Sequence, residues 1–167
     1  MKNTKIKLFV MDVDGTLTNG HIYLSEYGEL CKAFNVKDGY GISSILPQYS
    51  IIPVIITGRE STILKKRCEE LKIHELYQNC LDKLAILKKL AKQYNLIQNS
   101  QGKFIEVAYI GDDLNDLPCI LSCVISACPN DAINEIKKNV TYICSKKGGE
   151  GAVREFIEWL IFNFYES

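Results

Sequence analysis

Asp12-Val13-Asp14-Gly15-Thr16 places two carboxylates two residues apart, directly after the apolar run KIKLFVM (Lys5 to Met11). Where a strand is just breaking up, both acids of such a pair can face one pocket, and Gly15 permits the turn. Asp-Gly after a strand is also an ordinary turn. A second acidic group follows the run EVAYI (Glu106 to Ile110), as Gly111-Asp112-Asp113-Leu114-Asn115-Asp116. Three acids at one strand end repel one another unless a cation sits among them. A hard divalent ion with oxygen ligands, Mg²⁺ where a phosphate completes the shell, is the natural partner. Thr57-Gly58-Arg59 follows IIPVII (Ile51 to Ile56) and supplies a hydroxyl, a flexible backbone and a guanidinium. That combination suits an anion, and it also reads as a helix start capped by Thr57 or Ser61. Lys83, after Asp82, opens a helical stretch, from which it could reach a phosphate as a point charge or simply lie in solvent.

These groups need a scaffold that gathers strand ends. Lys5 to Met11, Ile51 to Ile56 and Glu106 to Ile110 read as buried strands, and Val124 to Ala127 and Thr141 to Cys144 as a fourth and fifth. Near-continuous apolar strands imply a sheet covered on both faces, hence parallel strands with helical crossovers. Helical stretches fall at about Asp38 to Leu46, Ser61 to Leu71, Leu81 to Tyr94, Leu114 to Ser122 and Gly151 to Phe164. In the third, Leu84, Leu87, Leu90 and Ala91 recur at helical spacing with lysines between. The expected fold is a doubly wound α/β domain, Rossmann-like, with ligands outside the carboxyl ends of its strands. Two segments break the alternation. His21 to Phe34 (HIYLSEYGELCKAF) reads as a projecting β-hairpin around a Glu-Tyr-Gly-Glu turn. Asn95 to Lys103 reads as a surface loop.

The 167 residues are one domain's worth, 1–167. Lys plus Arg and Asp plus Glu are 20 each, so no charge excess points to nucleic acid or a membrane surface. Apolar residues at 47% with 24% charged exclude a disordered chain. No apolar run approaches the roughly 20 residues of a membrane span. The start MKNTKIKLFVMD lacks a small-residue cleavage site, which argues against a secretory leader. The seven cysteines (31, 68, 80, 119, 123, 128 and 144) are odd in number and show no CxxC spacing, so buried, reduced thiols of a cytoplasmic protein are expected. A metal cluster at Cys119, Cys123 and Cys128 has only His21 and His74 to help it.

The order DVDGT, Thr57, Lys83, GDDLND resembles the haloacid dehalogenase superfamily of phosphatases, whose pattern is DxDGT, then Ser or Thr, then Lys, then GDDxxD. The resemblance spans most of the chain. It implies that Asp12 attacks phosphorus to form an aspartyl-phosphate, and that Asp14 protonates the leaving alkoxide and then deprotonates water. It implies Mg²⁺ held by Asp12, the Asp14 main-chain carbonyl and Asp112, with Asp113 or Asp116 in indirect support. Thr57 and Lys83 would hold phosphoryl oxygens, and Lys83 would also pair with Asp12. Only about 40 residues separate Thr16 from Thr57, and 25 separate Thr57 from Lys83, so neither gap holds a cap domain.

FNVKDGYGI (Phe34 to Ile42), ITGR (Ile56 to Arg59), KKRC (Lys65 to Cys68) and GGEGAVRE (Gly148 to Glu155) are similar to the 3-deoxy-D-manno-octulosonate 8-phosphate phosphatase family. The resemblance implies substrate contacts at Asn35, Val36, Lys37, Asp38, Gly39, Arg59 and Arg67, and a homotetramer whose hairpins close neighbouring sites. The expected substrate is a small phosphorylated 2-keto-3-deoxy sugar acid, without nucleic acid or membrane partners. Ser43-Ser44 stands where the family commonly has Arg, and Gly148-Gly149-Glu150-Gly151 where it often has GGRG. These departures keep a nine-carbon acid 9-phosphate as the alternative substrate. A non-catalytic module that kept the fold is the alternative of another class. The flexible Lys146-Lys147-Gly148-Gly149 stretch reads either as a loop that reaches a neighbour's ligand or as a solvated loop.

Overall fold

The computed structural model describes residues 5–165. Part of the leader reading, on Met1–Thr4, and the ends of the 1–167 domain expectation lie outside the described residues. Six parallel strands form one sheet in the order β5-β4-β1-β6-β7-β8. They are β1 (Leu8–Met11), β4 (Ile52–Ile56), β5 (Glu75–Tyr77), β6 (Phe104–Ile110), β7 (Cys123–Cys128) and β8 (Tyr142–Ile143). A separate antiparallel pair, β2 (Tyr23–Ser25) and β3 (Gly28–Cys31), is the expected hairpin.

The central strands are largely apolar because both faces are covered. All four residues of β1 are buried. Phe9 and Met11 join Phe156, Ile157 and Leu160 of α6 (Ala152–Phe164) on one face. Leu8 and Val10 join Leu87 and Leu90 of α3 (Lys83–Gln93) on the other. This even split of alternate residues between two apolar layers is the signature of a doubly wound sheet. Pro53 is tolerated although β4 is an inner strand, flanked by β1 and β5.

Several boundaries differ from the sequence reading. β1 begins at Leu8 rather than Lys5, and β6 begins earlier, at Phe104. β5 was missed: its three residues are half-buried at the sheet edge, too short for a periodic signal. So was the single turn α5 (Asn134–Lys137). The first helical stretch is not one regular helix. It runs as α1 (Val36–Tyr40), a π segment (Gly41–Ile45) and a 3₁₀ turn (Leu46–Tyr49), ended by Ser50 at φ 57°. α2 (Thr62–Leu71) is capped by the Ser61 side chain, which accepts from the Leu64 amide. α4 (Leu117–Ser122) starts three residues later than expected, because Asp112 to Asp116 form the site loop.

No disulfide links the seven cysteines, and five are buried. Cys31 departs from the buried expectation because it sits on the exposed hairpin. No described helix is long and apolar enough to cross a membrane.

Candidate active site

The sheet register brings the sequence's chemical groups to one place. Met11 lies beside Ile55 on β4 and Ile110 on β6, so Asp12, Thr57 and Asp112 all leave adjacent strand ends. Asp12 is buried, and its amide donates to the Ile110 carbonyl at 3.0 Å. Beyond it the chain turns at once: the amides of Thr16, Leu17 and Thr18 all converge on the Val13 carbonyl. Gly15 sits in this turn at φ 96°, and a Cβ there would lie 2.1 Å from Asp112 Oδ2. A side chain is therefore excluded on both torsional and steric grounds.

Lys83 is the first residue of α3, whose N-cap is Asp82. Its ammonium is 1% exposed and donates to Asp12 Oδ1 and Asp116 Oδ1, both at 2.7 Å. Burial alone would lower the Lys83 pKa, but the two carboxylates outweigh it and the net shift is upward, so the ammonium stays charged. Asp116 is fully buried and saturated with donors. Oδ1 accepts from Lys83 and from Tyr109 Oη at 2.7 Å; Oδ2 accepts from the amides of Asp112 at 3.0 Å and Asp113 at 3.4 Å. Burial holds the Tyr109 hydroxyl well above its usual range, so it remains a donor.

One oxygen each of Asp12, Asp112 and Asp116 lie within 4.8 Å of one another, and no thiol belongs to this group. Three carboxylates face a single ammonium. Burial, then Asp116, pushes Asp12 well above the ordinary carboxylate value. Burial, then Asp116, lifts Asp112 to about 6. Asp12 Oδ1 is taken by Lys83, and Asp112 Oδ1 by the Thr16 hydroxyl at 3.0 Å. Their other oxygens carry no protein donor among the described residues. An all-oxygen, over-negative cluster with open acceptors fits a hard divalent cation such as Mg²⁺. Asp113 is exposed, and its carboxylate only accepts from the Leu114 amide, so Asp116 is the acid of this loop that is built into the cluster.

The other expected residues divide. Asp14 is half-buried and ion-paired to Lys32 and, at 3.6 Å, to Arg59. Thr57 is buried, with its amide on the Tyr77 carbonyl and its carbonyl accepting from Cys80. Asn35 caps α1 and also donates to the Gly149 carbonyl at 3.3 Å, tying FNVKDG to the GGEG loop. Val36 and Lys37 are exposed. Asp38 is turned inward, where Oδ1 accepts from the Arg154 amide of α6 at 2.7 Å. Arg67 lies over the Phe34 ring, pairs with Glu70 at 2.8 Å and packs its Nη2 2.4 Å from where a Cβ on Gly39 would sit. Asp38 and Arg67 thus join α1 to α6 and α2. Sequence reasoning missed Tyr109, Lys32 and Glu29. The inward Tyr109 looks like one more core residue of an apolar strand, and Lys32 and Glu29 become visible only when the hairpin folds back.

Comparison with known proteins matches this arrangement. Residues 68–157 match a family model described as haloacid dehalogenase-like hydrolase. The 3-deoxy-D-manno-octulosonate 8-phosphate phosphatase of Yersinia pestis is 39% identical over 93% of this chain and 80% of its own length. That of Escherichia coli K12 is 38% identical over 96% and 81%. Among solved structures, the phosphatase of that name from Moraxella catarrhalis, in complex with magnesium, phosphate and KDO, is 40% identical with a TM-score of 0.86, covering 95% of this chain and 87% of its own. A cobalt-bound form from Haemophilus influenzae is 34% identical with a TM-score of 0.86, covering 97% and 91%. With its acidic cluster and lysine at the strand ends and this breadth of similarity, the chain belongs to the haloacid dehalogenase-like hydrolases, in the family of 3-deoxy-D-manno-octulosonate 8-phosphate phosphatases.

Proposed function

We propose that this chain hydrolyses 3-deoxy-D-manno-octulosonate 8-phosphate to the free eight-carbon acid (KDO) and phosphate, with Mg²⁺. The observation that carries the reading is the buried Asp12–Lys83–Asp116 relay beside Asp112. Asp12 is the nucleophile. Its carboxylate must be ionised to attack, and burial opposes that, so Lys83 within 2.7 Å offsets part of the cost. The Asp12 oxygen bonds to phosphorus as the P–O bond to the sugar breaks, and Asp14 gives its proton to the departing alkoxide. Asp14 then takes a proton from water, whose oxygen attacks phosphorus and releases phosphate and Asp12. Thr57 and Lys83 steady the phosphoryl oxygens. Asp12, Asp112 and the Asp14 main-chain carbonyl are the residues that would hold Mg²⁺. When bound, it neutralises charge on the phosphoryl group.

Asn35 to Gly39, Arg59 and Arg67 remain the candidates for the sugar acid. Of these Arg59 stands nearest the chemistry through Asp14, while Asp38 and Arg67 act from behind by fixing α1. The hairpin exposes Leu24, Tyr27 and Leu30 at 66%, 93% and 65%. An apolar arm of this kind suits burial against other copies of the chain, which supports a homotetramer with neighbours closing an uncapped site. The unpaired thiols and the sugar phosphate suit a cytoplasmic enzyme.

Phosphate release with Mg²⁺ from the eight-carbon 8-phosphate and from a nine-carbon 2-keto-3-deoxy acid 9-phosphate tests the reading, with Asp12→Asn as blank. A kcat/KM preference of about tenfold or more for the first, worth about 1.4 kcal/mol, is expected, with no turnover by the variant. A preference for the second moves the substrate and leaves the mechanism intact. A fully active Asp12→Asn ends the mechanism.

A further inference from the structure

The hairpin projects from the sheet, yet the residue that follows β3 is among the least exposed charges in the protein. The Lys32 side chain is 3% exposed. Its ammonium donates to Asp14 Oδ1 and reaches Glu29 Oε1 at 3.1 Å. Glu29, on β3 itself, accepts through Oε2 from the Ser61 hydroxyl and lies 3.8 Å from Arg59 Nη2. Burial raises the Glu29 carboxyl, but Ser61, Lys32 and Arg59 outweigh it and hold it below its usual value. Ser61 in turn caps α2, the helix that follows the Thr57 strand end. A partly buried chain of partners thus runs from α2 through the hairpin to the acid that serves the leaving group.

The geometry points to Lys32 as a positioning residue for Asp14, with Glu29 locking it to the Thr57–Ser61 loop, so that the hairpin is a working part of its own subunit's active site. Asp14 sits in a turn, half-buried, on a short side chain that several rotamers could satisfy. Lys32 engages Oδ1, and Arg59 approaches Oδ2 at 3.6 Å from a side chain that is 46% exposed. The buried lysine is the firmer of the two, because a solvated guanidinium at that distance restrains little. Proton transfer to an alkoxide depends on heavy-atom approach within hydrogen-bond reach. Losing the lysine therefore costs rate in proportion to how much the leaving group needs the proton. A lysine that only docked the hairpin would show no such dependence.

This inference rests on the assignment of Asp14 as general acid, but its test does not need the sugar acid. Wild type, Lys32→Met and Lys32→Arg are compared by kcat/KM on p-nitrophenyl phosphate and phenyl phosphate. The first releases an anion that needs no proton, and the second releases one that does. Lys32→Met is expected to lose less than about 3-fold on the nitrophenyl ester and at least about 10-fold on the phenyl ester, out of the 10²–10⁴ that a general acid supplies. Lys32→Arg should recover part of the second loss. Equal losses on both esters would make Lys32 a phosphate contact or a structural strut and overturn the proposal, as would unchanged kinetics. Thermal unfolding of each variant in parallel separates a folding defect, which lowers both esters equally through the active fraction. The eight-carbon substrate is run beside them. If wild type ignores it while the ester pattern holds, the substrate assignment falls and the role of Lys32 stands.

Discussion

Asp116→Asn replaces one carboxylate oxygen by an NH₂ group in a fully buried site, and its cost follows from counting donors. Four groups converge on the Asp116 carboxylate: Lys83 and Tyr109 on one oxygen, the amides of Asp112 and Asp113 on the other. All four are donors, and the residue is fully buried. Asparagine has one acceptor oxygen and one donor nitrogen. Whichever way its amide turns, one pair of donors meets an NH₂. The cheaper choice gives up the Asp112 amide at 3.0 Å and the weaker contact at 3.4 Å, at about 1–3 kcal/mol for each buried donor left unmade. Lys83 also loses one of its two charged partners, and breaking a buried pair costs about 3–5 kcal/mol. Relief of repulsion with Asp12 and Asp112 offsets some of this, because Asp116 pushes both of their pKa values up. The net expectation is a destabilisation of about 3 kcal/mol. Urea unfolding at one fixed subunit concentration in EDTA measures it. Tyr109→Phe is the control, removing a single hydrogen bond for about 1 kcal/mol. Turnover should fall about 10²-fold, since Lys83 is then held on one side by a neutral oxygen instead of a carboxylate. An Asp116→Asn protein within about 0.5 kcal/mol of wild type, with normal turnover, would refute the donor count.

Three further outcomes are expected. Asp38 is raised from 3.8 to about 6 by burial, which the Arg154 and Gly151 amides only partly oppose. Its protonated form is therefore favoured by folding, so its contribution is full below the unfolded value and is lost as pH rises through the folded one. The stability of wild type relative to Asp38→Asn should fall between about pH 4 and about pH 7 by up to about 3 kcal/mol; a difference that does not change with pH would sink this. Mg²⁺ at 100-fold over its Kd should raise unfolding stability by about 2.7 kcal/mol over EDTA, with the gain absent in Asp112→Ala; equal gains in both would remove Asp112 from the metal site. Leu24→Glu with Leu30→Glu should reduce the proposed tetramer to a smaller species in sedimentation at micromolar concentration, and an unchanged mass would count against an interface built on the hairpin.

What the sequence determined by itself is the scaffold and the places where chemistry is attached. Leu8 to Met11, Ile52 to Ile56 and the Val107 to Ile110 part of β6 are apolar throughout because each covers two layers, and that pattern is local. DVDGT, Thr57, Lys83 and GDDLND sit where such strands end or where a helix opens, so their gathering followed from parallel topology alone. The hairpin announced itself through alternation and a Gly turn. The tertiary structure decided which of several acids does what. Asp113 and Asp116 are equivalent as letters, yet one is solvated and the other takes four donors, two of them from Tyr109 and Lys83 on other elements. Asp38 belongs to a motif that reads as substrate contact, and the fold spends its carboxylate on the Arg154 amide, 116 residues away. Lys32 meets Asp14 across 18 residues only because the arm folds back. Hydrophobic periodicity is a property of neighbours in sequence and survives in the string of letters. The pairing of a buried charge is a property of neighbours in space, and it exists only once the strands have set the register.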